Sequence, residues 1–295
     1  MPPGLFVCGA VGLVCARAGG GADTEDRPLE TPSESPSPAA REPVSERVLS
    51  VSGFSKSYEG RQAVDGLSFE VSAGEILGLV GPNGAAKTTT LRSIAGILPV
   101  QQGRITVCGY DLAREEYRAK ACLCWVPDDP QPFDALTVVE HLEFTASLYG
   151  VADWRARAEE LLERFELNDR RDSLGGELSR GMRQKLAFCC CWLPRPHLVL
   201  LDEPLSGLDP RGIRSAKRAI REVAAAGTGV ILSSHLLELI EELAARILIL
   251  DQGKRVFMGT LSEARATLAP EAGGSLEEIF MAATERPLGD EGPVR

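Results

Sequence analysis

"LVGPNGAAKTTTLRS", Leu79 to Ser93, decides how this chain is read. Ahead of it Ile76–Val80 completes a continuous apolar run, the pattern of a strand covered on both faces, and behind it the sequence predicts a helix. The turn between them, Gly81-Pro82-Asn83-Gly84-Ala85-Ala86-Lys87-Thr88, sits in the context that a phosphate-gripping loop requires. Its backbone N–H groups curl around a phosphate, and the helix start at Lys87, Thr88 and Thr89 adds partial positive charge. The Lys87 ammonium reaches the terminal phosphates, and the Thr88 hydroxyl is placed for Mg²⁺. One residue departs from the pattern G-x-x-x-x-G-K-[ST]: Ala86 stands where the second glycine is expected. If that position is left-handed, alanine costs about 1–2 kcal/mol, a loss of roughly 5- to 30-fold in affinity. The sequence predicts a dented phosphate site, not an abolished one.

Working outward, strand-like and helix-like stretches alternate. "VLSVSGF" and "LSFEVSAG" have the period-two look of half-exposed strands, whereas "HLVLLDEP" and "TGVILSS" are continuous apolar runs. In "DWRARAEELLERFEL", Trp154, Ala158, Leu161, Leu162 and Phe165 share one helical face. In "IRSAKRAIREVAAAG", Ile213, Ala216, Ile220, Val223 and Ala224 do the same, with Gly227 as the stop. "RILILDQGKRVFMG" reads as a hairpin turning at Gln252-Gly253. Buried strands alternating with helices make this an α/β protein. By contrast, residues 17–46 are rich in Pro, Ser, Glu and Gly and cannot bury enough apolar surface to offset their ordering entropy. The composition predicts a disordered tail over 1–46 and a folded part beginning near Arg47.

Composition narrows the function. The formal net charge of −10 and a pI near 5.0 argue against a nucleic-acid-backbone binder, which needs a basic face. The longest apolar run, Leu5 to Ala16, falls short of the roughly twenty residues that span a bilayer. "MPPG" before it lacks the basic residues of a secretory signal. None of the eight cysteines makes a C-x-x-C pair, and the three histidines are scattered. Small apolar filler in a reducing, cytoplasmic setting accounts for the thiols.

Further motifs follow the loop. Some 115 residues after Lys87, the run His197 to Glu203, "HLVLLDE", ends in two acids. Asp202 is placed to hold magnesium and Glu203 to polarise an attacking water. "ELSRGMRQK", Glu177 to Lys185, puts Ser179 at a helix start, which attracts phosphate. His235 follows the buried run "TGVILSS" on the side of the phosphates and can hydrogen-bond the γ-phosphate or the attacking water.

Together these resemble the nucleotide-binding subunit of an ATP-binding-cassette transporter, from about Val48 to Thr284. The signature LSGGQ of that family is here Leu178-Ser179-Arg180-Gly181-Met182, the segment after the acids is Ser206-Gly207-Leu208-Asp209, and His235 is the switch histidine. The resemblance implies a P-loop NTPase (RecA-like) sheet subdomain, an inserted α-helical subdomain over about 129–186 and an antiparallel β subdomain, within a domain of 47–284 followed by a tail, 285–295. It implies ATP and Mg²⁺ as ligands. Lys87, Glu203 and His235 would be catalytic, and Thr88, Asp202 and Asp128 would lie on the metal. Tyr58 would stack on adenine. Gly81, Asn83, Gly84, Ala85, Ala86, Thr88 and Thr89 would hold phosphate, with Ser179, Gly181 and Asp209 acting across a head-to-tail dimer. It also implies an integral membrane permease as partner, contacted by the segment 130–150 with Phe133, Leu136 and Val138 as contact residues, a wholly internal core helix being the competing reading of that segment, and a peripheral place on the cytoplasmic face of the cell membrane. "VPDDPQPFDALTVVEHLEF" and "LEEIFMAAT" resemble exporter-type members. Arg180, Met182 and Asp128, the last in place of a glutamine, depart from the family pattern, as Ala86 does. A soluble cassette acting on ribosomes or nucleic acid, and a nucleotide-gated subunit with negligible hydrolysis, are the alternative readings.

Overall fold

The computed structural model describes residues 6–8, 13–15, 46–268 and 275–285. Strands β1 (Phe6–Cys8) and β2 (Leu13–Cys15) pair antiparallel, with Phe6 opposite Cys15. They lie inside the segment expected to be disordered, most of which, like the tail after 285, falls outside the described residues. Strands β3 (Arg47–Tyr58) and β4 (Arg61–Ser72) form a long antiparallel pair. Glu59 and Gly60 join them, both at positive φ, as a two-residue hairpin requires.

Next come β5 (Ile76–Val80), α1 (Lys87–Ile94), β6 (Gln102–Val107), β7 (Tyr110–Asp111), α2 (Glu116–Ala121) and β8 (Leu123–Val126). Three helices follow: α3 (Val138–Tyr149), α4 (Trp154–Arg164) and α5 (Arg180–Trp192). The chain then returns through β9 (Leu198–Asp202), α6 (Pro210–Ala225), β10 (Gly229–Ser233) and α7 (Leu237–Leu243). It closes with β11 (Arg246–Asp251), β12 (Lys254–Thr260), α8 (Leu261–Leu268) and α9 (Leu276–Glu285).

Two sheets carry the body. One has the order β12-β11-β5-β10-β9-β8, and its neighbours run parallel except for the β11–β12 hairpin. The other, β4-β3-β6-β7, is antiparallel. The apolar strand runs are explained by burial on both faces. Leu77, Leu79, Leu200 and Ile231 pack with the antiparallel sheet and α1. Ile76, Val80, Leu201 and Leu232 pack with the helices opposite. Helix α7 approaches β5 so closely that a Cβ on Gly78 would come within 2.4 Å of Ile240.

The inserted helices have strong local signals. Thr137 and Glu140 form a reciprocal capping box at the start of α3, and left-handed Gly150 ends it. Phe165 stacks on Phe188 at 5.3 Å, and Phe188 meets Trp192 edge-on at 5.1 Å, so α5 is locked to the end of α4. Cys189, Cys190 and Cys191 are fully buried in α5, where burial pushes the Cys189 and Cys191 thiols up. They are packing groups, as the sequence suggests.

His141 organises the segment before α3. Its Nε2 accepts from the Phe133 N–H at 2.9 Å and its Nδ1 donates to the Thr137 carbonyl at 2.7 Å, which defines a neutral ring. Phe133 also stacks on this ring and meets Phe144 edge-on. Val138, expected as a contact residue, is fully buried, because the first turn of α3 faces the core, as the competing reading of an internal helix has it. Phe144 is the large apolar side chain that α3 leaves 40% exposed.

Burial lowers the His141 pKa, although the Thr137 bond and Glu140 pull it up. A depressed native pKa means that the unfolded chain takes the proton more readily. The stabilisation is therefore present above about pH 6.5, the usual histidine value, and is lost as pH falls through the native pKa. Urea midpoints should drop between neutral and mildly acidic buffer, and His141→Gln should flatten that slope. An unchanged slope would show that His141 carries none of it.

Candidate active site

The parallel register brings four strand ends together. Ser233 lies opposite both Leu79 and Asp202, and Val126 opposite Leu201. The loop after β5, Asp128 after β8, the acids at β9 and His235 after β10 therefore meet at one edge, where ligands of open α/β sheets bind. There a cavity of about 340 Å³ is lined by Asn83 to Thr89, Asp128, Asp202 and Glu203, with Ala63 at its rim. Beside it a wider groove contains Tyr58, Gln62 and Gln252, and the two share Ala63, Asn83, Gly84, Ala85 and Thr89. Tyr58 is 43% exposed, and the Lys56 ammonium lies 5.7 Å from its ring centre.

The loop has the shape its spacing predicts. A Cβ at Gly81 would fall 2.4 Å from the Leu250 carbonyl oxygen, so only glycine passes the end of β11. Gly84 (φ 83°) and Ala86 (φ 79°, ψ 17°) are both left-handed. Ala86 thus carries the strain that its position implied. No side chain caps α1, which leaves its first N–H groups for a ligand. Lys87 Nζ donates to the Gly81 and Pro82 carbonyls at 2.6 and 3.1 Å, folding across the loop.

The acids divide their roles by environment. Asp202 is 4% exposed. Burial raises its pKa, opposed by a hydrogen bond from Thr88, while Glu203 and Asp128 push it further up. Burial lowers Lys87 in turn, with the charges of Glu203 and Asp202 working against it. Glu203 has a left-handed backbone, φ 48°. Its carboxylate accepts from the His235 N–H at 2.8 Å and the Ser234 hydroxyl at 3.2 Å, and pairs with His235 Nδ1 at 2.7 Å. His235 is largely exposed, with its Nε2 left unengaged by this pair.

Ser179, Gly181 and Asp209 line neither cavity. Ser179 caps α5 by accepting from Met182 N–H at 3.3 Å, and Asp209 caps α6 by accepting from Gly212 N–H at 2.9 Å. A Cβ on Gly181 would lie 2.6 Å from the Gly207 carbonyl oxygen, so the first turn of α5 and the loop after β9 touch backbone to backbone. Arg180, noted in the sequence only as a departure, links these parts. Its Nη2 sits 3.3 Å from Asp128 Oδ1 and 2.8 Å from Ser206 Oγ.

A family model described as "ABC transporter" matches residues 64–206. The daunorubicin resistance ATP-binding protein DrrA3 of Streptomyces coeruleorubidus is 35% identical over 240 residues, covering 81% of this chain and 75% of that protein. The ABC-type transporter ATP-binding protein EcsA of Bacillus subtilis (strain 168) is 31% identical, covering 83% and 99%. A solved structure of an ATP-binding subunit of an ABC transporter superposes with a TM-score of 0.78 at 33% identity, covering 81% of this chain and all of that one. The chain belongs to the ABC transporter family, as an ATP-binding subunit.

As such a subunit it is an ATPase that powers transport through a separate membrane permease. Among its described residues no helix is long and apolar enough to cross a membrane. The oxygen donors at the cavity suit Mg²⁺, which binds through one or two carboxylates plus phosphates and water. Asp202 supplies the clearest fit, a buried carboxylate beside the Thr88 hydroxyl.

Ala86→Gly tests the strain. The gain in folding stability and the gain in ATP affinity should together amount to about 1–2 kcal/mol, from denaturant titration and from calorimetric binding. No gain in either quantity would show that alanine is accommodated without cost.

Proposed function

We propose that two copies of this subunit close head to tail over two ATP–Mg²⁺ complexes and that this closure drives an exporter-type permease. The loop Gly81–Thr89 and Lys87 hold the phosphates, and Tyr58 stacks on the adenine. Thr88 and Asp202 hold the metal, with Asp128 beside it. Magnesium supplies charge neutralisation of the phosphates. Ser179, Gly181 and Asp209 act on the partner copy's nucleotide, which explains why they line neither cavity of their own subunit. Glu203 orients and polarises the attacking water, and His235 fixes the direction of its carboxylate.

The Glu203–His235 pair carries this reading. A base must be held within hydrogen-bonding reach of its water, and two hydrogen bonds from the end of β10 do that holding. The intact pair also favours turnover over a nucleotide-gated subunit without hydrolysis. Export is supported by relatives named for drug resistance and by the Nod factor export ATP-binding protein I of Paraburkholderia xenovorans (strain LB400), 36% identical over 227 residues. Phe133, ahead of α3, and exposed Phe144 on α3 are the side chains offered to the permease at the cytoplasmic face of the membrane.

Glu203→Gln should retain ATP binding while turnover falls by roughly 10²-fold or more, measured as phosphate release by the complex with its permease. Undiminished hydrolysis would remove Glu203 from this role. Cysteines at Asn83 and Ser179, placed on different copies, should crosslink when ATP is bound to the Glu203→Gln protein. Failure to crosslink at saturating nucleotide would sink the shared-site arrangement.

A further inference from the structure

The phosphate cavity is lined by three carboxylates, Asp128, Asp202 and Glu203, against one lysine, Lys87. A triphosphate adds further negative charge to that surplus. Two of the acids have clear employment: Asp202 lies beside the Thr88 hydroxyl, and Glu203 is held by His235. Asp128 is half exposed, and its ionic partner is Arg180, 3.3 Å away. The guanidinium is steadied from a second side, where the same Nη2 donates to Ser206 Oγ at 2.8 Å. Its stem lies over Gly207, where an added Cβ would come within 3.2 Å of the Arg180 Cγ and Cδ. The arginine is therefore clasped between the loop after β8 and the loop after β9, both in its own subunit.

We propose that Arg180 is a positioning residue, the counter-charge that keeps Asp128 compatible with a triphosphate in the same subunit. The proposal rests on the nucleotide-binding reading of the cavity and adds a partner to it. A carboxylate near phosphate oxygens repels them, and a guanidinium held beside that carboxylate offsets the repulsion. Two of the four departures from the cassette family's pattern, the arginine at 180 and the acid at 128, form one electrostatic unit. In the same arrangement Arg180 ties the start of α5 to the cavity edge, so the charge state of the cavity reaches the helix that presents Ser179.

The test is a double-mutant cycle read by calorimetric ATP binding to the full chain, with EDTA and with Mg²⁺, at low and high salt. Arg180→Ala should weaken ATP binding roughly 2- to 5-fold at low salt, the upper part of the range for a partly exposed charge pair, and by less at high salt. In the Asp128→Asn background the same substitution should change affinity by less than about twofold. Arg180→Lys, which keeps the charge, should recover most of the loss. An equal loss with Asp or Asn at 128 would overturn the proposal. So would a loss confined to ATP-driven dimer formation with single-subunit affinity intact, since Arg180 would then act across the interface. Failure of the unsubstituted chain to bind ATP would instead defeat the nucleotide reading of the cavity itself.

Discussion

Parallel register is the constraint on which this site depends. Because Ser233 lies opposite both Leu79 and Asp202, strands β5, β10 and β9 terminate on one line, and their following residues are delivered to a common edge. A slip of one residue in any of the three would turn its buried set toward the wrong core. The side chains that keep the register are therefore the alternating apolar residues, Leu77 and Leu79 on one face and Ile76 and Val80 on the other. Glu203 extends the same logic. Its own N–H donates to the Ser233 carbonyl at 2.9 Å while its carboxylate receives the bonds of His235. The end of β10 thereby fixes both ends of that residue.

Burial then sets the electrostatics. The same desolvation raises the Asp202 pKa and lowers that of Lys87, so each charged form is disfavoured where it stands. Either group gains from a ligand of opposite charge, and a metal–polyphosphate complex presents both signs at once. The left-handed backbones of Ala86 and Glu203 are a second cost of the same kind, concentrated where geometry matters most.

Much of this was legible in the sequence, for physical reasons. Strands covered on both faces are continuous apolar runs, and a two-residue turn announces itself through Gln252-Gly253. The residues of the cavity could be named because they sit at the ends of such runs. What could not be read is pairing between loops. Nothing local ties Asp128 to Arg180, which is 52 residues away, and only the strand order places them side by side. The inward turn of Val138 was hidden for a different reason, since an apolar residue at a helix start suits a core and a surface equally. Phe144 was missed because α3 carries apolar residues on more than one face.

The cysteines divide the molecule by chemical accessibility. Cys189, Cys190 and Cys191 have no contact with solvent, and burial disfavours the thiolate at Cys189 and Cys191, which is the reactive form. Cys108 and Cys122 are half-buried at the corner joining β6 to α2 and β8. There the hydrogen bond from Cys108 lowers the Cys122 pKa despite its burial. Of the six cysteines from Cys108 to Cys191, the two at that corner would meet an alkylating reagent or mild oxidant first. Labelling within this set would consequently report on the antiparallel sheet's margin while the helix beneath the signature stays chemically silent.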